Sequence, residues 1–319
     1  MYQNTSKAIL LAFFAALSIS LMSFFVKLAS TGASSAFIVF CRFGINLVYI
    51  YIILGFKNKR KLTFLPKTDH PYLHLIRSLS TVTAMLLFFF SMRYISLVNA
   101  NLLFMTNSLF IPVFAWLCFK TKTNKKTWLS IIIAFSGVAL VLKPDAHLLH
   151  SGSILALLAG VLSAVSLLAA RQVIRYDPPH TLMTYYCITA FLFSGALLLF
   201  HFELPGLHTL LLILGVSISG IIYQECLIRS TQYASARTVS TLMYSSIIFS
   251  GLLDWLFWKH VLDFWSWIGI ALVLCGSLAL VTYAQKSDGK QKTAHSTDDK
   301  ETQTSKPIIT KERLLEGDA

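Results

Sequence analysis

The stretch Ile9–Val26, ILLAFFAALSISLMSFFV, contains no charged residue over eighteen positions. A helix rises 1.5 Å per residue, so this segment comes close to crossing the roughly 30 Å hydrocarbon core of a bilayer. Residues 154–170 form a second uncharged run. Neither run shows the strict alternation of a barrel strand, which indicates membrane-spanning helices.

Long apolar segments of this kind occur along most of the chain. Its 319 residues are 55% hydrophobic and 13% charged, whereas soluble domains carry about 25% charged residues. The first span exceeds a typical signal-peptide core, so we expect the chain to retain it. The least certain spans are 73–92, which begins with His74 and Arg77, and 208–230, which contains Glu225. The ten predicted spans cover 8–28, 35–56, 73–92, 97–119, 127–143, 151–171, 181–202, 208–230, 236–258 and 264–284.

The distribution of basic residues predicts the orientation. Lys and Arg number 27 against 14 Asp and Glu, but from Gln285 on there are seven of each. With the N-terminus inside, the inner loops hold fourteen basic residues and the outer loops hold four. The positive-inside rule therefore predicts cytoplasmic N- and C-termini. Contact with anionic lipid headgroups explains the charge better than nucleic acid does. The polar residues 286–319 are predicted to be a disordered tail.

An internal repeat divides the spans into two halves. Shifted by 139 positions, Trp116 and Trp128 meet Trp255 and Trp267, and Gly137 meets Gly276. A shift of 145 aligns the first spans of the halves. We predict two five-helix repeats, residues 1–145 and 146–285, in an all-α membrane protein. Because five is odd, the second repeat enters the membrane with the opposite polarity, as in many secondary transporters.

Several motifs resemble those of the EamA-type permeases of the drug/metabolite transporter superfamily. The resemblance covers about residues 1–285, and Lys120-Thr121-Lys122 and Lys259-His260-Val261 depart from the acidic turns common in that family. The matching segments are Cys41-Arg42-Phe43, His74-Leu75-Ile76-Arg77, Tyr94 to Asn101, Ile111-Pro112-Val113-Phe114, Phe135-Ser136-Gly137-Val138 and Leu274-Cys275-Gly276-Ser277.

The resemblance implies a permease of the bacterial inner membrane, with a cavity lined by spans 1, 3, 4, 6, 8 and 9. The His-x-x-Arg pattern of span 3 is most similar to the branch that includes S-adenosylmethionine uptake carriers. A homodimer is one of two oligomeric states that the family implies. No cofactor or metal is expected.

Polar residues inside the spans are the candidates for transport, because ionisable groups at membrane depth are costly. Glu225 is a candidate for binding a cationic group or for proton coupling, and an ion pair with Arg229 is the alternative. Pro112 is a candidate for a gating bend. The cavity candidates, with interhelical hydrogen bonding as the alternative, are Arg77, Asn101, Met105, Asn107, Ser108, Tyr223, Glu225, Ser240, Tyr244 and Ser245.

Two further charged residues are expected to have structural roles. Arg42 lies in span 2, which the resemblance makes peripheral, and Asp254 is expected to pair with Lys259 or to be exposed at the membrane interface. The five cysteines lie in different apolar segments and indicate small buried side chains.

Secondary transport of a small polar organic metabolite is the function that the sequence predicts, with S-adenosylmethionine as the first substrate to test. An amino-acid or drug/metabolite exporter of the same fold is the alternative. A membrane-embedded enzyme acting on lipid is a different class. The chain has no HExxH, GxSxG or Walker motif, so we expect no enzymatic activity.

Overall fold

The described part of the chain consists mainly of apolar helices. The computed structural model describes residues 5–57, 68–120, 125–142, 151–174, 176–199, 202–233, 239, 242–259 and 264–279. The helices are α1 Thr5–Ala29, α2 Ser35–Lys57, α3 Pro71–Ser91, α4 Leu97–Met105, α5 Asn107–Phe119, α6 Lys125–Leu142, α7 Ser151–Val173, α8 Pro179–Leu198, α9 Leu207–Tyr233, α10 Ser245–Trp258 and α11 Phe264–Ala279.

Each predicted span contains helix. Among the described residues, seven helical stretches are long and apolar enough to cross a membrane, and Leu97–Cys118 counts as one of them although Thr106 interrupts it. The two least certain spans, 73–92 and 208–230, are both among the seven. The helices α10 and α11 are apolar but shorter in the part of the chain that is described. The predicted tail, 286–319, lies outside the described residues.

The main packing contacts join helices from the two predicted halves. Helix α1 runs along α9, α3 runs along α7, and α2 contacts both α8 and α9. Helix α4 packs against α7 and α10, and α10 also packs against α1. The largest buried side chains, which include Phe43, Phe88 and Phe89, fill the space between these helices. Large apolar side chains such as Leu117, Ile132 and Leu192 are exposed, as expected of a surface that faces lipid.

Glycines permit the close approach of α6 and α11. A Cβ atom on Gly137 would lie 2.6 Å from the Gly269 carbonyl oxygen, and one on Gly276 would lie 2.6 Å from the Ala134 Cβ. Real Cβ atoms do not come this close to such atoms, so the two backbones pack together only because these positions lack a side chain.

The interruption of the fourth span is not at Pro112. Helix α4 ends at Met105, Thr106 forms a turn, and Pro112 lies inside α5. The Thr106 hydroxyl donates to the Leu103 carbonyl oxygen at 2.5 Å and competes with the helical hydrogen bond there. A similar turn occurs at Tyr244, just before α10, although that region has no proline. The helix is thus interrupted at Thr106, six residues before Pro112, and the gating bend at Pro112 itself stays a prediction.

We expect the substitution Gly276→Ala to destabilise the protein, because the added methyl group meets backbone atoms of α6 that cannot move independently. Overpacking of this kind costs about 1–3 kcal/mol. Thermal unfolding of the purified protein in one detergent measures the effect. Gly251→Ala is the control, because its Cβ would meet only Val98, at an ordinary 3.7 Å. Equal melting temperatures for both variants would contradict the tight contact.

Candidate functional site

A network of buried hydrogen bonds joins α1, α4 and α10. Asn101 is fully buried, and its Nδ2 donates to Ser250 Oγ at 3.0 Å. Ser23 Oγ donates to Asn101 Oδ1 at 3.3 Å, and Ser250 Oγ donates to Ser20 Oγ at 3.2 Å. Such bonds hold membrane helices together. Asn101 thus occupies the position of an interhelical hydrogen-bonding residue.

A buried ion pair closes the bundle at the end where α1 finishes and α4 begins. Lys27 Nζ lies 3.0 Å from Asp254 Oδ1, and the backbone N–H of Val98 donates to Asp254 Oδ2 at 2.9 Å. The ammonium group also lies 4.3 Å from the centre of the Trp258 ring. Asp254 is fully buried. The expectation that it pairs with Lys259 or is exposed at the interface is wrong, because α1 supplies the partner from 227 residues away and the side chain is buried.

The half-buried candidates of the fourth span lie near the turn at Thr106. Asn107 Nδ2 donates to Ser163 Oγ of α7 at 3.1 Å, and Ser108 shares a short hydrogen bond with the Tyr244 hydroxyl. The carbonyl oxygen of Met105 accepts a bond from Ser108 Oγ. These contacts connect α5 with α7 and with the turn that precedes α10.

The two remaining candidates of the ninth span are Ser240 and Ser245. Ser245 Oγ, next to Tyr244, donates to the Leu242 carbonyl oxygen at 2.6 Å. Ser240 lies outside the described residues.

Glu225 forms the ion pair that is the alternative to a role in transport. Arg229 Nε donates to Glu225 Oε2 at 3.2 Å on one face of α9, and the two side chains are 64% and 35% exposed for the arginine and the glutamate. Tyr49 of α2 lies close enough to Glu225 to interact with it electrostatically. Glu225 is therefore half-buried on α9, next to α2.

Arg77 lies within hydrogen-bonding distance of α7 and close to α8. Its Nη1 donates to Ser166 Oγ at 3.1 Å and to Thr81 Oγ1 at 2.5 Å. The guanidinium group lies 4.9 Å from the centre of the Tyr186 ring, and its buried Nε has no hydrogen-bond partner in the described structure.

Arg42 is only 2% exposed, although most of its helix, α2, lies at the surface of the described bundle. Its Nη1 donates to Met85 Sδ at 3.0 Å, and its Nε has no partner among the described residues. Gly220 of α9 leaves space for this guanidinium, because a Cβ there would lie 3.0 Å from Arg42 Nε. Tyr223, one of the cavity candidates, lies close enough to interact electrostatically with Arg42.

A second group of polar contacts joins the start of α3 to the connection between α7 and α8. His74 Nε2 is 2.8 Å from Asp177 Oδ2, and Thr68 Oγ1 donates to the same oxygen at 2.6 Å. The two hydrogen bonds, first that from Thr68, hold the pKa of the Asp177 carboxyl below its ordinary value. His74 also lies against Tyr185, with ring centres 4.6 Å apart. The sequence indicates His74 only as part of a motif, since its partner lies 103 residues away.

Comparison with known proteins supports the fold and the class of function. The chain is 26% identical to the pseudopaline exporter CntI of Pseudomonas aeruginosa over 85% of this chain and 95% of that protein. It is 23% identical to a riboflavin transporter of Rhizobium johnstonii, over 83% of this chain and 86% of the relative.

The similarity extends to a human protein and to a solved structure. Human solute carrier family 35 member G1 is 25% identical over 68% of this chain and 64% of its own length. A protein crystal structure with 17% sequence identity matches the fold with a TM-score of 0.61, over 88% of this chain and 98% of the other.

The family comparison covers most of the chain. The EamA-like transporter family matches twice, at residues 6–143 and 150–282. The chain therefore belongs to the EamA-like transporter family, and it is an integral membrane transport protein rather than an enzyme.

Proposed function

We propose that the chain is a secondary-active transporter that moves a small polar organic metabolite across the bacterial inner membrane by alternating access. The observation that carries the proposal is that the helices of each half pack mainly against helices of the other half. Helix α1 of the first half packs along α9 of the second, and α3 packs along α7. Alternating access requires two bundles that meet in this way and can rock against each other.

Ten spans in two inverted repeats, residues 1–145 and 146–285, are part of this proposal. Two matches to one family, at 6–143 and 150–282, support the division. Lys120 and Lys259, which are 139 positions apart, both end a helix in the left-handed conformation, with φ of 48° and 50°.

Equivalent contacts between α6 and α11 give further support. Gly137 faces Gly269 and Val273, while Gly276 faces Ser130 and Ala134. Adding 139 to 130, 134 and 137 gives 269, 273 and 276. The same contact thus occurs twice with the halves exchanged, as a twofold relation between the repeats requires.

The proposed substrate is a class of compound, small polar organic metabolites. Pseudopaline and riboflavin, named for two relatives, are chemically different polar compounds, so family membership does not select one substrate. S-adenosylmethionine is kept as one compound to test, although neither relative is named for it. Amino acids are the alternative within the same function.

Closure of one end of the bundle is the second support for alternating access. The Lys27–Asp254 pair joins α1 to α10 and, through the Val98 N–H, to the start of α4. We place this end at the outer face, because the positive-inside rule puts the N-terminus and the C-terminal tail in the cytoplasm.

The topology itself predicts a labelling pattern in intact cells. A single cysteine in the basic loop 58–61, in a cysteine-free background, should resist a membrane-impermeant maleimide until the cells are opened. A cysteine at position 145 should react in intact cells. The reverse pattern would contradict the orientation, and labelling of both cysteines would contradict the number of spans between them.

A homodimer is tested by light scattering on the purified protein.

Breaking the Lys27–Asp254 pair should open the outer end. In Asp254→Asn, a cysteine at Ser250 should react faster with an impermeant maleimide, because the buried ammonium group loses its counterion. The swapped variant Lys27→Asp/Asp254→Lys should recover part of the protection, and Lys259→Gln is the control. Unchanged labelling in Asp254→Asn would exclude a gating role for this pair.

Proteoliposomes test transport directly. We expect saturable uptake of at least one labelled compound from a panel of S-adenosylmethionine, amino acids and nucleotide-like metabolites. Because Glu225 and Arg229 are paired with each other on one face of α9, Glu225→Gln and Arg229→Gln should each retain most of the flux. Loss of proton coupling in Glu225→Gln alone would instead assign the coupling role to this carboxylate. No flux of any compound, together with catalytic turnover of lipid, would overturn the proposed function.

A further inference from the structure

Two guanidinium groups lie inside the bundle without a carboxylate partner among the described residues. Arg42 belongs to α2 and Arg77 to α3, and each carries a buried Nε with no hydrogen-bond acceptor in that part of the chain. Arginine stays protonated in proteins and offers five N–H donors. Charged side chains at membrane depth cost roughly 2.5–3.5 kcal/mol on insertion scales, and so indicate a functional site.

The acidic residues of the described segments are engaged elsewhere or exposed. Asp254 pairs with Lys27, Asp177 with His74, and Glu225 with Arg229. Asp69 and Glu203, the other two, are exposed residues in connections between helices. In the described structure the arginine pair therefore has no protein anion to neutralise it.

The groups that do contact the arginines are neutral and only partly satisfy them. Arg42 donates to Met85 Sδ, and a thioether is a weak acceptor. Arg77 donates to the hydroxyl groups of Ser166 and Thr81. Most of the ten N–H donors of the two guanidinium groups have no oxygen acceptor in the described structure.

Aromatic rings link the two arginines. The Tyr186 ring lies 4.9 Å from the Arg77 guanidinium and 4.9 Å from the Phe43 ring, and Arg42 lies 5.3 Å from that same Phe43 ring. Cation–π contacts stabilise a guanidinium while leaving its N–H edge unbonded. These rings therefore hold the cations in place without replacing an anion.

The position of the pair is suited to a substrate site. Helix α2 packs against α8 and α9, and α3 packs against α7 and α8, so both arginines lie where the two halves meet. Substrate sites of inverted-repeat transporters lie at this interface near the bilayer midplane. Gly220 gives the Arg42 guanidinium direct access to the backbone of α9.

We propose that Arg42 and Arg77 together bind an oxyanion group of the substrate, a carboxylate or a phosphate, between α2, α3, α8 and α9. A planar guanidinium donates two parallel N–H bonds to either group. The substrate then supplies the charge that the described protein lacks. This inference rests on the proposed function, because it names the chemical class of what is transported.

Four small probes separate charge from size in a binding experiment. Succinate, putrescine and 1,4-butanediol share a four-carbon chain with two carboxylates, two ammonium groups or two hydroxyls, and inorganic phosphate is the second oxyanion. Each is titrated into the purified full-length protein in detergent, at constant ionic strength, while thermal unfolding is followed. A ligand that binds only the folded state raises the melting temperature.

We expect succinate or phosphate to raise the melting temperature of the wild-type protein, and putrescine and 1,4-butanediol to leave it unchanged. A response to succinate alone identifies a carboxylate, and a response to phosphate alone identifies a phosphate. Arg42→Gln and Arg77→Gln should each weaken the apparent affinity at least tenfold. Arg93→Gln is the matched control, because Arg93 is exposed and donates to the Ala33 carbonyl oxygen.

A measurement on the wild-type protein covers the case in which a variant does not fold. Phenylglyoxal modifies arginine, and peptide mass spectrometry distinguishes the modification of Arg42 and Arg77 from that of Arg93. The oxyanion that binds should slow modification of the first two at least threefold and leave Arg93 unaffected.

Three results would overturn the inference: no response to either oxyanion, an equal response to putrescine, or a response that survives both glutamine substitutions. The outcome is separable from that of the proposed function. If transport occurs but does not depend on either arginine, the proposed function stands and the oxyanion site is contradicted. If anion binding depends on the arginines but no compound is transported, the site stands and the proposed function is contradicted.

Discussion

Helices in a bilayer gain little by leaving lipid for one another, because lipid tails are as apolar as leucine side chains. Close contact and interhelical hydrogen bonds must therefore supply the association energy, and the described bundle depends on both. Gly137 and Gly276 bring α6 and α11 into backbone contact. Gly160 does the same between α7 and α4, since a Cβ there would lie 2.9 Å from the Leu103 carbonyl oxygen.

Polar groups inside the bundle are of two kinds, those whose hydrogen bonds are formed and those with an unpartnered donor. Asn101 and Asp254 have partners on other helices and are buried with their hydrogen bonds formed. Groups of this kind hold the helices in register. Arg42 and Arg77 keep unpartnered Nε groups among aromatic rings and hydroxyls. Charged groups at membrane depth are costly, and this cost is the basis of our proposal that the two cations bind a ligand.

Local sequence patterns predict the polar residues but not their partners. Spacing along the sequence predicts an ion pair between Asp254 and Lys259, because it can reveal only partners that are neighbours on one helix. The actual partner of Asp254, Lys27, lies on another helix. Likewise, no proline marks the interruption of the helix at Thr106 or the similar turn at Tyr244. Glu225 does pair with Arg229, since the i, i+4 spacing places the two on one helical face.

The sequence by itself determined the helical membrane class, the helix in each span and the resemblance to a transporter family. Apolar length and periodicity decide these properties, and they are local. It also contained the 139-residue repeat, which anticipated the paired glycines of α6 and α11. Only the tertiary structure decided that Arg42 is buried, that it shares an interface with Arg77, and that the described acids are engaged elsewhere or exposed. Burial and pairing depend on which helices meet, and contacts across more than a hundred residues leave no trace in local spacing.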